Sequence, residues 1–142
     1  DKKIVEFVGG SISSEVLQDE LVSVAESDPV LKDAGAVSLA YVADGFLLDT
    51  YTKPNRHLAH ADLTRNGFAM VNLNADQMEV TFHAIEGTES KSRVPDDELA
   101  EKFEAIRFMV KAGAPDLYGY QDNDWRLWDP ETLAWIDPPD SN

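Results

Sequence analysis

NRHLAHADLTRNGFAMVNLNADQMEVTFHAI, residues 55–85, is the stretch that decides the fold. It predicts an antiparallel meander of short strands joined by two tight turns. Asn66-Gly67 predicts the first turn, because both central residues of a type I′ hairpin need a positive φ. Residues 74–77 (NADQ) predict the second turn. The expected strands cover residues 57–63, 68–73 and 78–85, and apolar and polar residues alternate along the last one, which indicates one buried and one wet face.

Helices are expected before this meander. Ser11, Ser13 and Ser14 offer N-cap hydroxyls for a helix that begins near Glu15, with an apolar face formed by Leu17, Leu21 and Val24. Asp28-Pro29 ends that helix, because proline lacks the backbone N–H that the next turn needs. Residues 34–51 fit a strand and a helix almost equally, and a helix ended by Pro54 is favoured for the second half.

A further helix and an aromatic tail are expected after the meander. Acidic residues after Pro95 suit a helix N-terminus, and Lys111, Gly113 and Pro115 suit its end. The apolar stripe of this helix comprises Leu99, Phe103, Ile106 and Val110. Residues 116–142 are too aromatic for a disordered tail and are expected to pack back onto a large surface. The predicted class is therefore α+β, with an antiparallel β-meander of three to four strands and flanking helices.

Composition limits the partners. The chain has 27 acidic and 12 basic residues, a net charge of −15, and the acidic residues are spread along its length. It therefore repels phosphate backbones, so neither a nucleic acid nor an anionic membrane surface is an expected partner. An acidic surface for solubility and a cation-binding role both remain open. The chain has no cysteine and no 18-residue apolar run, so a disulfide, a thiolate site and a transmembrane segment are not expected.

The three histidines do not form an obvious metal site. His57 and His60 have the spacing H-x-x-H, but residues three apart on a strand point to opposite faces. His57 can still enter a site from the loop after Pro54, or it can hydrogen-bond locally. His83 shares the wet face of its strand with Glu79, which favours a surface role.

Other candidate motifs also have simple structural explanations. Asp44, Asp49 and Asp62 lie in segments of different type, so nothing pairs them for acid–base chemistry. The chain has no P-loop, no calcium-binding loop and no G-x-S-x-G elbow, so a cap role is preferred for Ser11. Trp125 and Trp128 either line a pocket or pack on a core.

Two motifs resemble one family. Residues 5–14, VEFVGGSISS, resemble the VEFVGTSITS segment of the alkaline phosphatase D (PhoD-like) phosphodiesterases. Residues 55–58 (NRHL) and 62–68 (DLTRNGF) resemble its N-P-H-L … D-L-x-R-R-G-Y run. The order and spacing agree over residues 4–85. Departures are Arg56 in place of the usual proline, Asn66 in place of an arginine, and Phe68 in place of tyrosine.

The resemblance implies a metallophosphoesterase that folds as an αββα sandwich and holds calcium and iron in a multinuclear site. Those metals polarise the phosphate ester and supply hydroxide. The family's main ligands lie upstream of the VEFVG segment, so the metal ligands are expected outside this chain. The 142 residues would be a single domain or the C-terminal segment of a larger catalytic domain, inactive alone, with residues 86–142 as a helix and an aromatic C-terminal lid. Asn55 and His57 are its candidate catalytic residues.

The resemblance also implies partners and a location. The N-terminal part of the same enzyme, as a separate or nicked chain, would complete the catalytic unit, and a phosphate ester would be its substrate. The family is secreted or periplasmic, which a cysteine-free chain allows. The alternatives are a non-catalytic binding or assembly module with an aromatic interaction surface, and a calcium-responsive acidic domain.

Overall fold

A group of short helices precedes an antiparallel sheet in the computed structural model, which describes residues 4–12, 14–49, 55–91, 93 and 95–139. The sheet has six strands, and they neighbour one another in sequence order. The helices are α1 (Leu17–Ser27), α2 (Pro29–Asp33), α3 (Ala36–Ala40), α4 (Ala43–Leu47), α5 (Gly87–Ser90) and α6 (Asp96–Glu101). The strands are β1 (Arg65–Leu73), β2 (Gln77–Glu86), β3 (Glu104–Lys111), β4 (Ala114–Gln121), β5 (Asp124–Asp129) and β6 (Ala134–Ile136).

This architecture confirms the α+β class and an antiparallel meander. The meander has more strands than the three to four expected. No helix within the described ranges has both the length and the apolar composition to cross a bilayer.

The β1–β2 hairpin confirms the second predicted turn. The Asn74 side-chain oxygen accepts hydrogen bonds from the backbone nitrogens of Asp76 at 2.8 Å and Gln77 at 3.0 Å. The Asn74 backbone nitrogen also donates to the Gln77 carbonyl at 3.0 Å. Asparagine closes such turns because its side chain bonds backbone groups two residues on. The alternation predicted for β2 is present too, with Val80 and Ala84 buried on one face.

The first predicted turn is wrong, because Asn66 and Gly67 lie inside β1. Gly67 is needed for a close approach, since a Cβ there would overlap the His83 backbone carbonyl. Asn66 is buried, and its amide donates to the Ser14 carbonyl at 3.1 Å and the Ser90 hydroxyl at 2.7 Å.

The strand predicted over residues 57–63 is also wrong, because a turn and a loop occupy them. The Asp62 carboxylate accepts from the Thr64 and Arg65 backbone nitrogens, each at 3.1 Å. Side chains of this kind compete with a strand ladder for the backbone donors.

The long helix predicted after Pro95 is wrong beyond Glu101. Residues 104–111 form β3, and Ile106 of this strand pairs with Phe82 of β2. Ile106, Phe108 and Val110 also recur at every second residue, so the same stretch satisfies the period of a strand. Gly113 then serves the β3–β4 turn, where its φ is +74°.

The aromatic tail packs as expected, but residues 116–136 build strands of the sheet and not a separate lid. Trp135 covers the face of the sheet at Gly119, whose Cβ would overlap the indole ring. Its ring lies 5.1 Å from that of Trp128 and 6.1 Å from that of Phe108. Phe7 reaches the same face and packs against Phe82 and Phe108, at 6.3 and 6.1 Å. We call this face, which buries Val80 and Phe108, the core face of the sheet, although Ile85, Met109 and Tyr118 are buried on the opposite face.

The N-terminal helices follow the predicted breaks but not the predicted cap. The first helix begins at Leu17, and none of the described side chains caps it. The Ser11 hydroxyl instead accepts from the Ser14 backbone nitrogen at 3.1 Å, and Ser13 lies outside the described residues. Asp28 ends α1 as predicted, and its carboxylate accepts from the Val30 nitrogen at 2.8 Å to cap α2.

The segment of ambiguous periodicity is helical in two short pieces, α3 and α4. This confirms the helix that was favoured for its second half as far as Leu47. The predicted end at Pro54 lies outside the described residues. Gln18 joins α1 to this region, since its side-chain amide donates to the Tyr41 carbonyl at 3.1 Å.

Candidate functional site

Asn55 and His57, the candidate catalytic residues, lie on an exposed turn between α4 and β1. The Asn55 amide donates to the Leu47 carbonyl at 3.3 Å, which ties the turn to the end of α4. Arg56 forms an ion pair with Glu131, beyond β5. The His57 side chain is exposed beside them. The turn is therefore anchored at both flanks and presents its polar side chains outward.

His60 lies in a different environment from His57. Its ring packs on Phe108 with centroids 5.6 Å apart, on the core face of the sheet. Burial lowers the pKa of His60, and this effect outweighs the neighbouring charge of Asp62, which raises the pKa. A neutral imidazole on the core suits a structural role. No group of three or more His, Asp or Glu residues within the described ranges is placed to hold a metal ion.

Asp62 and Arg65 form the most connected ionic cluster. The Arg65 guanidinium donates to Asp62 at 2.5 Å and to Glu104 at 2.6 Å, which links the loop before β1 to the start of β3. Burial raises the pKa of Asp62, but hydrogen bonds from Thr64 and the Arg65 charge outweigh it and hold that pKa below its usual value. A carboxylate engaged by several donors is a weak base, so this cluster positions the loop and is not suited to proton transfer.

An open apolar pocket of about 370 Å³ lies on the sheet face opposite the core. Phe68 and His83 form its floor, with ring centroids 4.9 Å apart and planes 17° apart. Phe103 meets Phe68 edge to face at 5.6 Å, and Leu99 and Ala100 of α6 complete the wall. His83 is the polar side chain in this lining, so the pocket suits an apolar group that makes one hydrogen bond.

The surface role predicted for His83 beside Glu79 is only partly met. His83 is half-buried against Phe68, and Glu79 accepts hydrogen bonds from Arg107 at 2.7 and 2.9 Å. The sequence offered no sign of this pocket, because Phe68 of β1, His83 of β2 and Phe103 of the α6–β3 connection meet only in the folded sheet.

The two tryptophans of β5 do not share a pocket. Trp128 packs on Trp135 in the core, and its indole nitrogen is buried with no hydrogen-bond partner in the described part of the chain. Trp125 lies on the other face, edge to face with Tyr120 at 5.2 Å. The Arg107 guanidinium lies over both rings, 4.5 Å from Tyr120 and 5.3 Å from Trp125. These cation–π contacts stabilise the outer face of the sheet.

Large apolar side chains are exposed mainly in the N-terminal half. The predicted apolar face of α1 points into solvent, although Ala25 of that helix is buried. Soluble monomers rarely expose large apolar patches, so such surfaces mark contact sites. The exposed apolar side chains of α1–α4 and β1 are Leu17, Leu21, Val24, Val30, Leu31, Leu39, Phe46, Phe68, Met70, Val71 and Leu73.

Comparisons with known proteins do not assign a family. No protein-family model, curated protein or solved structure matches this chain. The resemblance of residues 5–14 and 55–68 to PhoD-like enzymes therefore stays a prediction.

Proposed function

We propose that this chain is the C-terminal portion of a metal-dependent phosphoesterase of the PhoD-like type. It completes an αββα sandwich beside a metal site whose ligands come from the N-terminal part of the same enzyme. The substrate is a phosphate ester, and the enzyme works outside the cytoplasm, in the periplasm or as a secreted protein.

One observation carries this proposal. The two segments that resemble the same family, residues 5–14 and 55–68, contact each other directly. The Gly67 backbone nitrogen donates to the Ser11 carbonyl at 3.1 Å, and the Asn66 side-chain amide donates to the Ser14 carbonyl at 3.1 Å. Two motifs of one family are expected to lie together in its fold, and the contact between residues 5–14 and 55–68 is in agreement with that expectation.

The exposed apolar surface of α1–α4 supports a missing partner segment. Burial of a leucine or valine side chain stabilises a protein by about 1.5–3 kcal/mol, so several exposed side chains of this kind favour a covering layer. In this proposal, the covering layer is the N-terminal part of the enzyme.

The described residues do not fit a metal cluster of their own, and no step of phosphate hydrolysis is assigned to them. Calcium and iron would act as Lewis acids and as a source of hydroxide in the other part of the enzyme. Asn55 and His57 remain the candidates for contact with the substrate, since both are presented on the exposed turn.

The test compares the 142-residue chain with the protein of its complete reading frame. Both are assayed with p-nitrophenyl phosphate and with bis(p-nitrophenyl) phosphate, before and after EDTA treatment and calcium or iron addition. The chain alone is expected to be inactive, and the complete protein is expected to hydrolyse at least one ester and to lose activity in EDTA. A complete reading frame without hydrolysis would overturn the proposal.

A non-catalytic binding or assembly module is the second candidate. It is favoured by the same exposed helices, which would then contact a partner protein. It predicts that the 142-residue chain unfolds cooperatively by itself and that the complete protein hydrolyses neither ester. A chain without cooperative unfolding would argue against it.

A further inference from the structure

We infer that β1 is the edge through which two copies of this chain pair as a symmetric antiparallel dimer. The strand order places β1 at one end of the described sheet, paired only with β2. At the other end, β6 has three residues, so β1 is the long free edge. This inference is independent of the phosphoesterase proposal, because it rests on β1 alone.

The free part of this edge is short and well defined. The Gly67 N–H points away from β2, since it donates to the Ser11 carbonyl. Backbone groups alternate in direction along an antiparallel strand, so the N–H and C=O of Ala69, Val71 and Leu73 also point outward. The segment that contains Ser11 occupies one end of the edge, and the Asn74 turn closes the other. Residues 69–73 remain, centred on Val71.

The side chains of this stretch lack the usual protection of an exposed edge. Natural edges carry charges, prolines or bulges that discourage pairing. Residues 68–73 (FAMVNL) have none of these, in a chain of which 27 % is charged. Met70 on one face is 58 % exposed, and Val71 and Leu73 on the other are 60 % and 72 % exposed. A strand paired with β1 would place its side chains next to Met70 on one face and next to Val71 and Leu73 on the other. A layer packed on the sheet would cover only one of these faces.

A second copy fits this edge by symmetry and by side-chain size. Antiparallel pairing about Val71 places Val71 opposite its own copy and Ala69 opposite Leu73 of the second copy, so a small side chain faces a large one. Each facing pair exchanges both N–H···O bonds. No charged side chain lies in the paired stretch, and salt near 0.15 M screens the remaining like charges beyond about 8 Å. The contact is isologous, so it closes at two copies and does not extend to a fibre.

The first test measures the oligomeric state by sedimentation from about 1 to 200 µM, a range that brackets micromolar affinity. The wild-type chain is expected to be a dimer at the upper end. Val71→Lys places like charges face to face and is expected to weaken the dimer by about tenfold or more. Val30→Lys makes the same substitution at a valine that is 76 % exposed on α2 and is expected to leave the dimer unchanged. Thermal unfolding checks that both variants fold.

The second test measures the register in which the two β1 strands pair. The chain has no cysteine, so any disulfide formed must involve the introduced cysteine. In Val71→Cys, the two Cα atoms would lie about 5.5 Å apart, within the range of a disulfide. In Leu73→Cys, they would lie about 14 Å apart, because each residue is two positions from the symmetry axis. Mild oxidation is therefore expected to cross-link Val71→Cys and not Leu73→Cys.

Three results with the 142-residue chain would overturn the inference. These are a wild-type monomer throughout the concentration range, a dimer that Val71→Lys leaves intact, and equal cross-linking of the two cysteine variants. A complete-reading-frame protein that stays monomeric, with Val71→Cys unlinked, would assign this edge to another strand of the same protein and would also overturn it.

Discussion

The Asp62 carboxylate holds Arg65 twice, through the backbone nitrogen at 3.1 Å and through the guanidinium at 2.5 Å. This pair fixes the point where the loop after the candidate turn becomes β1. It also sets the direction of the loop that carries His57 and His60. The same arrangement explains why residues 57–63 are not a strand.

Replacement of Asp62 is expected to destabilise the fold. Asp62→Ala leaves several half-buried donors unsatisfied and is expected to lower the free energy of unfolding by about 1–3 kcal/mol, measured by urea titration. Glu104→Gln removes the negative charge of the exposed partner of the same arginine and is expected to cost less than about 1 kcal/mol. Equal losses in the two variants would show that Asp62 has no special role.

Stability is expected to fall as the pH drops below about 6.5, because of His60. The lowered pKa of His60 means that the unfolded chain takes up a proton at higher pH than the folded chain. Stability from this group is therefore complete above the unfolded pKa and declines as the pH falls through the interval down to the folded pKa. Urea titrations between pH 8 and 5 are expected to show this slope in the wild type and not in His60→Gln. His57→Gln, which changes an exposed histidine, is expected to keep the slope, and a slope retained in His60→Gln would contradict the assignment.

Gly67→Ala and Gly45→Ala are expected to change stability in opposite directions. A Cβ at Gly67 meets the His83 backbone carbonyl, which cannot move without breaking the β1–β2 ladder, so we expect a loss of about 1–3 kcal/mol. A Cβ at Gly45 in α4 meets nothing within 4 Å, and alanine favours a helix by up to about 1 kcal/mol. Thermal unfolding of the two variants measures both effects. A neutral Gly67→Ala would show that the strands tolerate the side chain.

Proline substitutions are expected to distinguish the two sides of β1. Met70 faces Thr81 and directs its N–H toward β2, whereas the Val71 N–H points outward. Met70→Pro removes a ladder hydrogen bond and is expected to cost about 3 kcal/mol or more. Val71→Pro keeps the ladder and is expected to cost clearly less, since proline is tolerated on the outer side of an edge strand. Chemical denaturation measures the free energy of unfolding of both variants. A larger loss in Val71→Pro than in Met70→Pro would show that the Val71 N–H, and not the Met70 N–H, points toward β2.

His57→Ala is expected to lower phosphate-ester hydrolysis by about tenfold or more in the complete protein, if the turn contacts the substrate. Its exposed position predicts little change in the unfolding temperature. His83→Ala is the control, because His83 belongs to the apolar pocket on the sheet and is expected to leave hydrolysis unchanged. Equal activity of both variants and the wild type would remove His57 from the candidate catalytic residues.

The sequence correctly predicted those elements that are determined by contacts between a side chain and the backbone a few residues away, or by a regular alternation of residue types. Asn74 closes its turn with its own side chain, Asp28 ends α1 and caps α2, and the alternation of residues 78–85 appears in β2. The candidate site was less accessible to prediction. The argument against a His57–His60 metal pair assumed a strand over residues 57–63, and that strand is absent from the fold. The two rings are separated instead because His60 packs on Phe108 while His57 is exposed.

The sequence by itself determined the α+β class, the acidic surface and the hairpin of β1 and β2, because these depend on composition and on contacts between near neighbours. Tertiary structure alone decided the rest. Residues 104–111 satisfy both a helical and a strand period, and the free edge of β2 selects the strand by supplying hydrogen-bond partners. A glycine at position 67 is compatible with a turn and with a close backbone approach. The backbone carbonyl of His83, which leaves no room for a Cβ at Gly67, shows that the close approach is the reason. Such choices depend on residues that are distant in sequence, so no local pattern contains them.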